Sequence, residues 1–376
     1  MKKGGYNNKL EKAVAVLFSI AYAGVAMGEA VNEKVYEKLW GRVVLHDTPN
    51  NILTKLALTG RLQADYYNFG DSNAGSESDF NWRRFRVGLK ASLFKSLTFH
   101  SEADMNLNDP NPMYNKLTDA NLAWVAASGL TVKLGRQSAP FTLDGSTSSK
   151  KLYTLERSKL AGNIGFPKEY FTGISFSGDR RGWEYLAGLF SSDHGPEFGE
   201  AFNYGQFGLF TVGYNFKEKL KMDNALLRLD YVNQSQDAGN KTPHHKNAAS
   251  LVMKLDKGNL HLWTDLGISD GYGGKNDIAG LHIMPFYDIT DKAQLVFRYT
   301  YIKSSGGEGV RLSKYEKNLN SSTGKEANEM FLGANYYLYG HKLKWQNGIK
   351  YTRLSRQAGE AGYDGWGFTS GFRISW

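Results

Sequence analysis

The stretch "NWRRFRVGLKASLF", residues 81–94, holds Arg83, Arg84, Arg86 and Lys90 within a few positions. A guanidinium is planar and permanently charged, and makes paired charge-assisted bonds to phosphate or carboxylate. If the stretch is a strand, Phe85, Val87, Leu89 and Ala91 share one face, and Arg84, Arg86 and Lys90 share the other. Arg83 then falls on the apolar side, so it must lie near a rim or beside a bulge. Two uses fit such a cluster. It could replace water around an anion, or it could pair with local acids and brace a wall. The residues alone leave both open.

Other candidates are thinner. His244 and His245 are adjacent in a polar stretch with no carboxylate at ligand spacing, which reads as a surface loop rather than a metal site. "GYGG" at 271–274 and "SGGEG" at 305–309 read as turn material, since neither joins a strand to a helix. With no cysteine, the chain has no disulfide, thiolate nucleophile or Cys-ligated metal. No nucleophile, base and acid set stands out, and no enzyme activity or cofactor is expected.

The elements that would position the arginines alternate strictly. In "LALTGRLQADYY", Leu56, Leu58, Leu62, Ala64 and Tyr66 oppose Thr59, Arg61, Gln63 and Asp65. "LTFHSEADMNL" and "LVFRYTY" repeat the pattern, which marks strands with one apolar and one polar face. About sixteen such segments follow from residue 55 onward, with turns alternately short and long, as in an outer-membrane barrel. They begin near residues 55, 80, 96, 117, 129, 170, 182, 206, 225, 248, 259, 278, 293, 327, 342 and 366. "FKSL" and "DKGN" are tight; "DSNAGSESD", "SSDHGPEFGEAFNYG" and "SSGGEGVRLSKYEKNLNSSTGKEAN" read as long loops. A soluble β-sandwich would also alternate. Charges at strand centres and aromatics near strand ends favour a transmembrane antiparallel β-barrel, all-β, because lipid demands that every strand edge be paired.

The chain ends "GWGFTSGFRISW", with Phe368, Phe372, Ile374 and Trp376 on one parity. A bulky aromatic as last residue fits a closing strand that pairs with the first and sets Trp376 at the membrane interface. At the other end, "MKKGGYNNKLEK" precedes the apolar run "AVAVLFSIAYAGVAM" and small residues to Ala30. That predicts a signal peptide, residues 1–30, cleaved near Ala30; the run is too short to span a bilayer. Its loss takes four Lys and two Glu, so the net charge falls from +9 to +7. Residues 31–54 form a lead-in with one or two helical turns, and 55–376 form the barrel.

By parity, the bases facing the lumen are Arg61, Arg84, Arg86, Lys90, Lys133, Arg228, Lys254, Arg298, Lys344, Lys350 and Arg373. The acids are Asp65, Glu102, Asp104, Asp119, Glu184, Asp230, Asp256 and Asp265. A low-dielectric pore focuses even this modest excess, which predicts a mild anion preference.

The segments "LTGRLQADYY", "WRRFRVGLKASLFKSLTFHSEADMNLND", "LTDANLAWV" and "VKLGRQSAPFTLDGSTSSKKLYTLERS", with the aromatic end, resemble the phosphate-selective porins O and P. The resemblance runs from about residue 40 to Trp376. It implies a sixteen-stranded barrel, a homotrimer in a Gram-negative outer membrane, and passive diffusion of small anions, phosphate or polyphosphate among them. It also implies that residues 130–158 fold inward to narrow the pore. Matching constriction positions would be Arg61, Arg83, Arg84 and Asp104, with Lys133, Lys150 and Lys151 on or beside the loop. Such barrels end on an aromatic read by the outer-membrane assembly machinery. Two features depart from the pattern: Asp144 beside Gly145 in the loop, and no ladder of bases along one long loop. Alternatives kept open are a sugar- or oligomer-binding channel, with Trp263 or Phe331 as a stacking track, and a loop-mediated adhesion or structural barrel. Outer-membrane lipid is an expected partner; nucleic acid is not.

Overall fold

In the computed structural model, residues 33–49, 52–126, 129–166, 170–193, 195, 197–198, 202–356 and 361–376 are described. The expected signal peptide and its cleavage point lie outside them. The alternating segments form one antiparallel sheet of seventeen strands, of which one, β1 (Val44–Asp47), is an addition to a closed sixteen-stranded barrel. The barrel strands are β2 (Leu53–Asp71), β3 (Gly75–Leu93), β4 (Leu97–Met105), β5 (Tyr114–Val125), β6 (Thr131–Gln137), β7 (Phe171–Arg180), β8 (Trp183–Ser191) and β9 (Gln206–Asn215), continuing as β10 (Asn224–Gln234), β11 (His245–Lys257), β12 (Leu260–Gly271), β13 (Ile278–Asp288) and β14 (Ala293–Ser304). After a two-stranded ladder, β15 (Val310–Arg311) with β16 (Thr323–Gly324), come β17 (Glu326–Tyr339), β18 (Leu343–Ser355) and β19 (Ala361–Ser375). No described helix is long and apolar enough to cross a membrane, so crossing falls to the strands.

Closure occurs where the sequence places it. β19 pairs with β2, Ser375 opposite Arg61, and Trp376 exchanges two 3.1 Å backbone hydrogen bonds with Gly60. The Trp376 ring occupies the space a side chain at Gly60 would fill, since a Cβ there would lie 2.5 Å from it. Beyond that point β2 loses its partner, and β1 takes over the edge with His46 opposite Leu56 and Asp47 opposite Lys55. The lead-in is thus more ordered than one or two turns. Helix α1 (Glu33–Gly41) docks on the barrel end, with Tyr36 stacked on Tyr339 and the Trp40 indole N–H donating to Ser375 O. The first hairpin is also longer than expected. "DSNAGSESD" is absorbed into β2 and β3, leaving only residues 72–74 as the turn.

Parity holds along the walls. On β2, Arg61, Gln63 and Asp65 are buried inward while Tyr66 is exposed outward. The barrel interior is not empty. Residues 138–166, between β6 and β7, fold inward with two short helices, α2 (Leu143–Ser146) and α3 (Lys159–Ile164). Leu160, Ile164, Phe141 and Phe166 pack with wall residues Phe171, Phe190, Phe207, Ile278 and Ile302 in one apolar core. Burying that cluster draws the loop toward the β7–β14 side, and polar space remains beside β2–β5.

Candidate functional site

Two cavities flank the inward loop. The larger, about 600 Å³, is lined by Arg83, Arg84, Arg157, Lys159, Arg311, Lys314 and Lys317, with Glu156 the one acid among its described lining residues. The smaller, about 340 Å³, lies between the loop and the β2–β5 wall and is lined by Arg61, Arg84, Arg86, His100, Lys150 and Arg157, with Glu102 and Asp119. Arg84, Arg157 and Phe166 line both, which puts these three at the boundary where the two cavities meet, the neck between them.

Most wall bases reach the lumen already paired. Arg61 donates to Glu102 Oε1 at 2.6 Å and to Ser149 Oγ at 2.6 Å, linking wall to loop. Arg86 donates to Asp104 Oδ1 at 2.9 Å and to the Tyr170 hydroxyl at 2.5 Å. Arg373 pairs with Asp65 at 2.5 Å, Arg228 with Asp230 at 2.9 Å, and Arg298 with Glu329 at 2.8 Å. Arg83 is the residue of the bulge: Gln63 faces Arg84 and Ala64 faces Trp82, which leaves Arg83 without an opposite number. The bulge turns its side chain inward, to 4.0 Å from Asp65.

The neck guanidiniums differ. Arg84 donates to the neutral Gln63 Oε1 at 2.8 Å. Arg157 donates to backbone carbonyls, Asp144 O at 2.7 Å and Thr147 O at 2.9 Å. Among the described residues neither has a carboxylate within ion-pair distance. Burial pushes the Arg157 guanidinium down to about 10, still charged at neutral pH. Asp144, the acid that departs from the family pattern, accepts the Ser158 N–H at 2.6 Å and staples the loop to itself.

The remaining sequence candidates scatter around this axis. Lys150 sits on the loop and donates to Trp376 O at 2.8 Å and Thr59 Oγ1 at 3.1 Å. Burial, then the nearby Arg61 charge, push it down to about 8. Lys151 and Lys90 are exposed and Lys133 half-buried, and none lines either cavity. Trp263 and Phe331, weighed as a stacking track, are taken up by packing. Trp263 meets loop residue Tyr153 edge-on at 5.1 Å, and Phe331 lies across Gly348, where a Cβ would be 2.2 Å away. His245 opens β11 rather than lying in a loop, and its Nε2 is 3.1 Å from Asn163 O.

Residues 305–325 supply what sequence reading missed. They carry helix α4 (Lys314–Leu319), which folds into the lumen. Tyr315 is fully buried, stacks on Tyr67 at 4.3 Å and donates to Asp65. Glu316 pairs with Lys159 of the inward loop and, at 3.2 Å, with Lys350. Glu329 completes the cluster, 3.3 Å from Lys159. A second loop is therefore latched to the first by a buried charge cluster. The sequence signal for it is slight: a Ser313–Glu316 capping box inside a polar run.

The sequence model of the family described as Phosphate-selective porin O and P matches residues 56–248, just over half of the chain. The chain belongs to that family. As a porin it is a passive channel of the outer membrane, and its fold agrees. It resembles a loop-L8 deletion mutant of OmpT from Vibrio cholerae, with TM-score 0.59 and 13% identity, covering 85% of this chain and 99% of that one. The porin is similar also to the outer membrane channel DcaP of Acinetobacter baumannii, with TM-score 0.55 and 11% identity over 86% and 97% of the two chains. Salmonella typhi OmpF, solved with daunomycin, gives TM-score 0.59 and 13% identity over 86% and 98%. At these identities the likeness is one of fold. No curated protein sequence matches the porin.

Proposed function

We propose that this porin passes small hydrophilic solutes with a preference for anions, set where Arg84 and Arg157 join the two cavities. The observation that carries the reading is the pairing pattern. Arg61, Arg86, Arg228, Arg298 and Arg373 spend their charge on carboxylates, whereas the neck guanidiniums face only neutral acceptors. An uncompensated charge in a narrow low-dielectric passage acts on ions of both signs, attracting anions and repelling cations. The vestibule bases Arg311, Lys314 and Lys317 would concentrate anions ahead of it. Phosphate is the candidate solute that the family description suggests, with polyphosphate as the longer anion of the same chemistry.

The remaining parts of the reading follow from family and fold. Export through a signal peptide cleaved near Ala30, assembly through the strand ending at Trp376, and a homotrimer, as in the trimer form of V. cholerae OmpT, belong to the same proposal. Reversal potentials in planar bilayers across a KCl gradient, then with phosphate replacing chloride, test it. A potential of cation sign would overturn the anion reading. Equal permeability to phosphate and chloride would remove phosphate as a favoured solute.

A further inference from the structure

The outward faces of β14, β17, β18 and β19 stack in level rows. Phe297, Leu332, Ile349 and Phe368 stand side by side across the four strands. Two residues toward the loop end, the row reads Tyr299, Met330, Tyr351 and Trp366. The Tyr299 hydroxyl donates to Asn328 Oδ1 and the Tyr351 hydroxyl to Asp364 Oδ1, both at 2.7 Å, so each phenol points away from the apolar row. Apolar rings below and hydroxyls above mark the outer membrane interface.

Directly beyond that belt the wall turns charged, with Arg353 opposite Asp364 in the first row and Lys303 opposite Glu326 in the second. Arg353 is one row higher and Lys303 two rows higher, both exposed and outward-facing. With Lys325 and Arg356 they surround a hollow of about 470 Å³ in which Glu326 is the only acid among the described residues. Among the described residues, none of the four bases has a carboxylate within ion-pair distance. At about 3.4 Å per residue the bases stand roughly 7–14 Å past the aromatic row. A strand tilt of about 40° makes that roughly 5–10 Å along the membrane normal, and the polar layers add about 5–8 Å on each side of a hydrocarbon core of about 30 Å, so Arg353 stands at headgroup depth and Lys303 at its outer edge. Lys303 and Arg353 are on the outside of the barrel wall, away from the pore, and Arg356, past the end of β18, donates to Ser322 Oγ at 2.7 Å.

We propose that this hollow binds the phosphate of a lipid headgroup in the outer leaflet. Arg353 and Arg356 supply forked donors and Lys303 and Lys325 compact charges, the combination that holds a phosphate ester. The depth favours a lipid source over free phosphate, because a headgroup anchored by its acyl chains is confined to this level while its chains lie against Phe297, Leu332 and Ile349.

The test uses the full porin in detergent, titrated with lipid A (a bisphosphorylated glucosamine lipid), with the same lipid after removal of its phosphates, and with inorganic phosphate, read by native mass spectrometry. The wild type should retain lipid A, and K303Q/R353Q should bind it about tenfold more weakly or worse, as expected for losing two charged donors. K303R/R353K, which keeps both charges, should retain it, and shows that loss in the first variant is not misfolding. Equal retention by wild type and K303Q/R353Q, or equal retention of the phosphate-free lipid, overturns the proposal. So does displacement by inorganic phosphate at equal concentration, which would make free anions the ligand. A changed oligomeric state in K303Q/R353Q would assign the surface to a neighbouring copy and likewise overturn it.

Discussion

Replacing Arg84 by Gln removes the neck charge while leaving a side chain that can still reach Gln63. Arg84 has one described hydrogen bond, to Gln63 Oε1 at 2.8 Å, so little structure depends on it. An ion passing at about 4 Å feels about 1 kcal/mol from a unit charge even at the dielectric of bulk water, and up to about 4 kcal/mol at an effective value of 20. Screening changes this little, because 4 Å is well inside the Debye length of about 10 Å at 0.1 M salt. The effect has opposite sign for anion and cation, so it counts twice in the permeability ratio. The lower figure gives about 2 kcal/mol, roughly thirtyfold, since each 1.4 kcal/mol or so is tenfold. Arg157 remains and shares the field, so we expect the anion-to-cation ratio to fall by about five- to thirtyfold. The assay is the reversal potential across a KCl gradient for wild type, R84Q and R84K. R84K should keep most of the preference. A potential in R84Q equal to wild type refutes the charge argument, and an equal drop in R84Q and R84K would show that shape, not charge, is read there. K303Q/R353Q, whose charges face the membrane exterior, serves as the unchanged control.

Two further predictions follow from the loops. Lys150 and Lys314 are both pushed down to about 8, chiefly by burial and then by Arg61 and Arg83 respectively. Each is therefore charged below that pH and neutral above it. Anion preference should decline between pH 7 and pH 9, and K150Q/K314Q should flatten the reversal-potential profile over that range. In the latch, replacing Lys159 by Met leaves Glu316 and Glu329 short of a buried cation, a change worth about 3–5 kcal/mol. K159M should lower the thermal midpoint and raise single-channel conductance and its noise as α4 and the inward loop separate. Unchanged conductance would show that the cluster does not hold the loops in the pore.

Much of the barrel was legible because lipid and water sort side chains with a period of two. The strand starts near residues 96, 206, 225, 278, 293 and 327 lie within a few residues of the observed ones, and closure of β19 on β2 followed from the parity of Phe368, Phe372 and Ile374. Arg83 was legible for the same reason: one base on the wrong parity inside a regular strand calls for a bulge. The misses arise where that sorting stops. The distal parts of β2 and β3 project past the membrane, so residues 75–80 are mostly exposed and carry no apolar face to read. β1 exists because β19 ends at Ser375 and leaves an edge to cover, which is a matter of register rather than propensity. The latch joins Lys159 to Glu316 across 157 positions, and nothing in either neighbourhood specifies the other. Glu329 stands on the inward parity of its strand and could have entered the census of lumen acids.

The division of labour among the charges constrains how selectivity can change. Lys159, Lys350 and Arg298 balance Glu156, Glu316 and Glu329, three against three, and Arg61 with Arg86 balances Glu102 with Asp104. Several of these pairs also hold a loop in place: Arg61 holds Ser149, Arg298 holds Thr154, and Lys350 holds Glu156. Removing any of them strands a buried charge, so substitutions there should cost stability before they alter permeation. Among the described residues that line the cavities, the bases with no carboxylate at ion-pair distance include Arg84, on a strand but bonded to a neutral amide, and Lys150, Arg157 and Lys314, on the two loops. Those positions can change charge without leaving a buried counterion behind. On this reading the wall's ion pairs are the scaffold that aims two loops, and the field a solute meets is written by the few cations those pairs leave over.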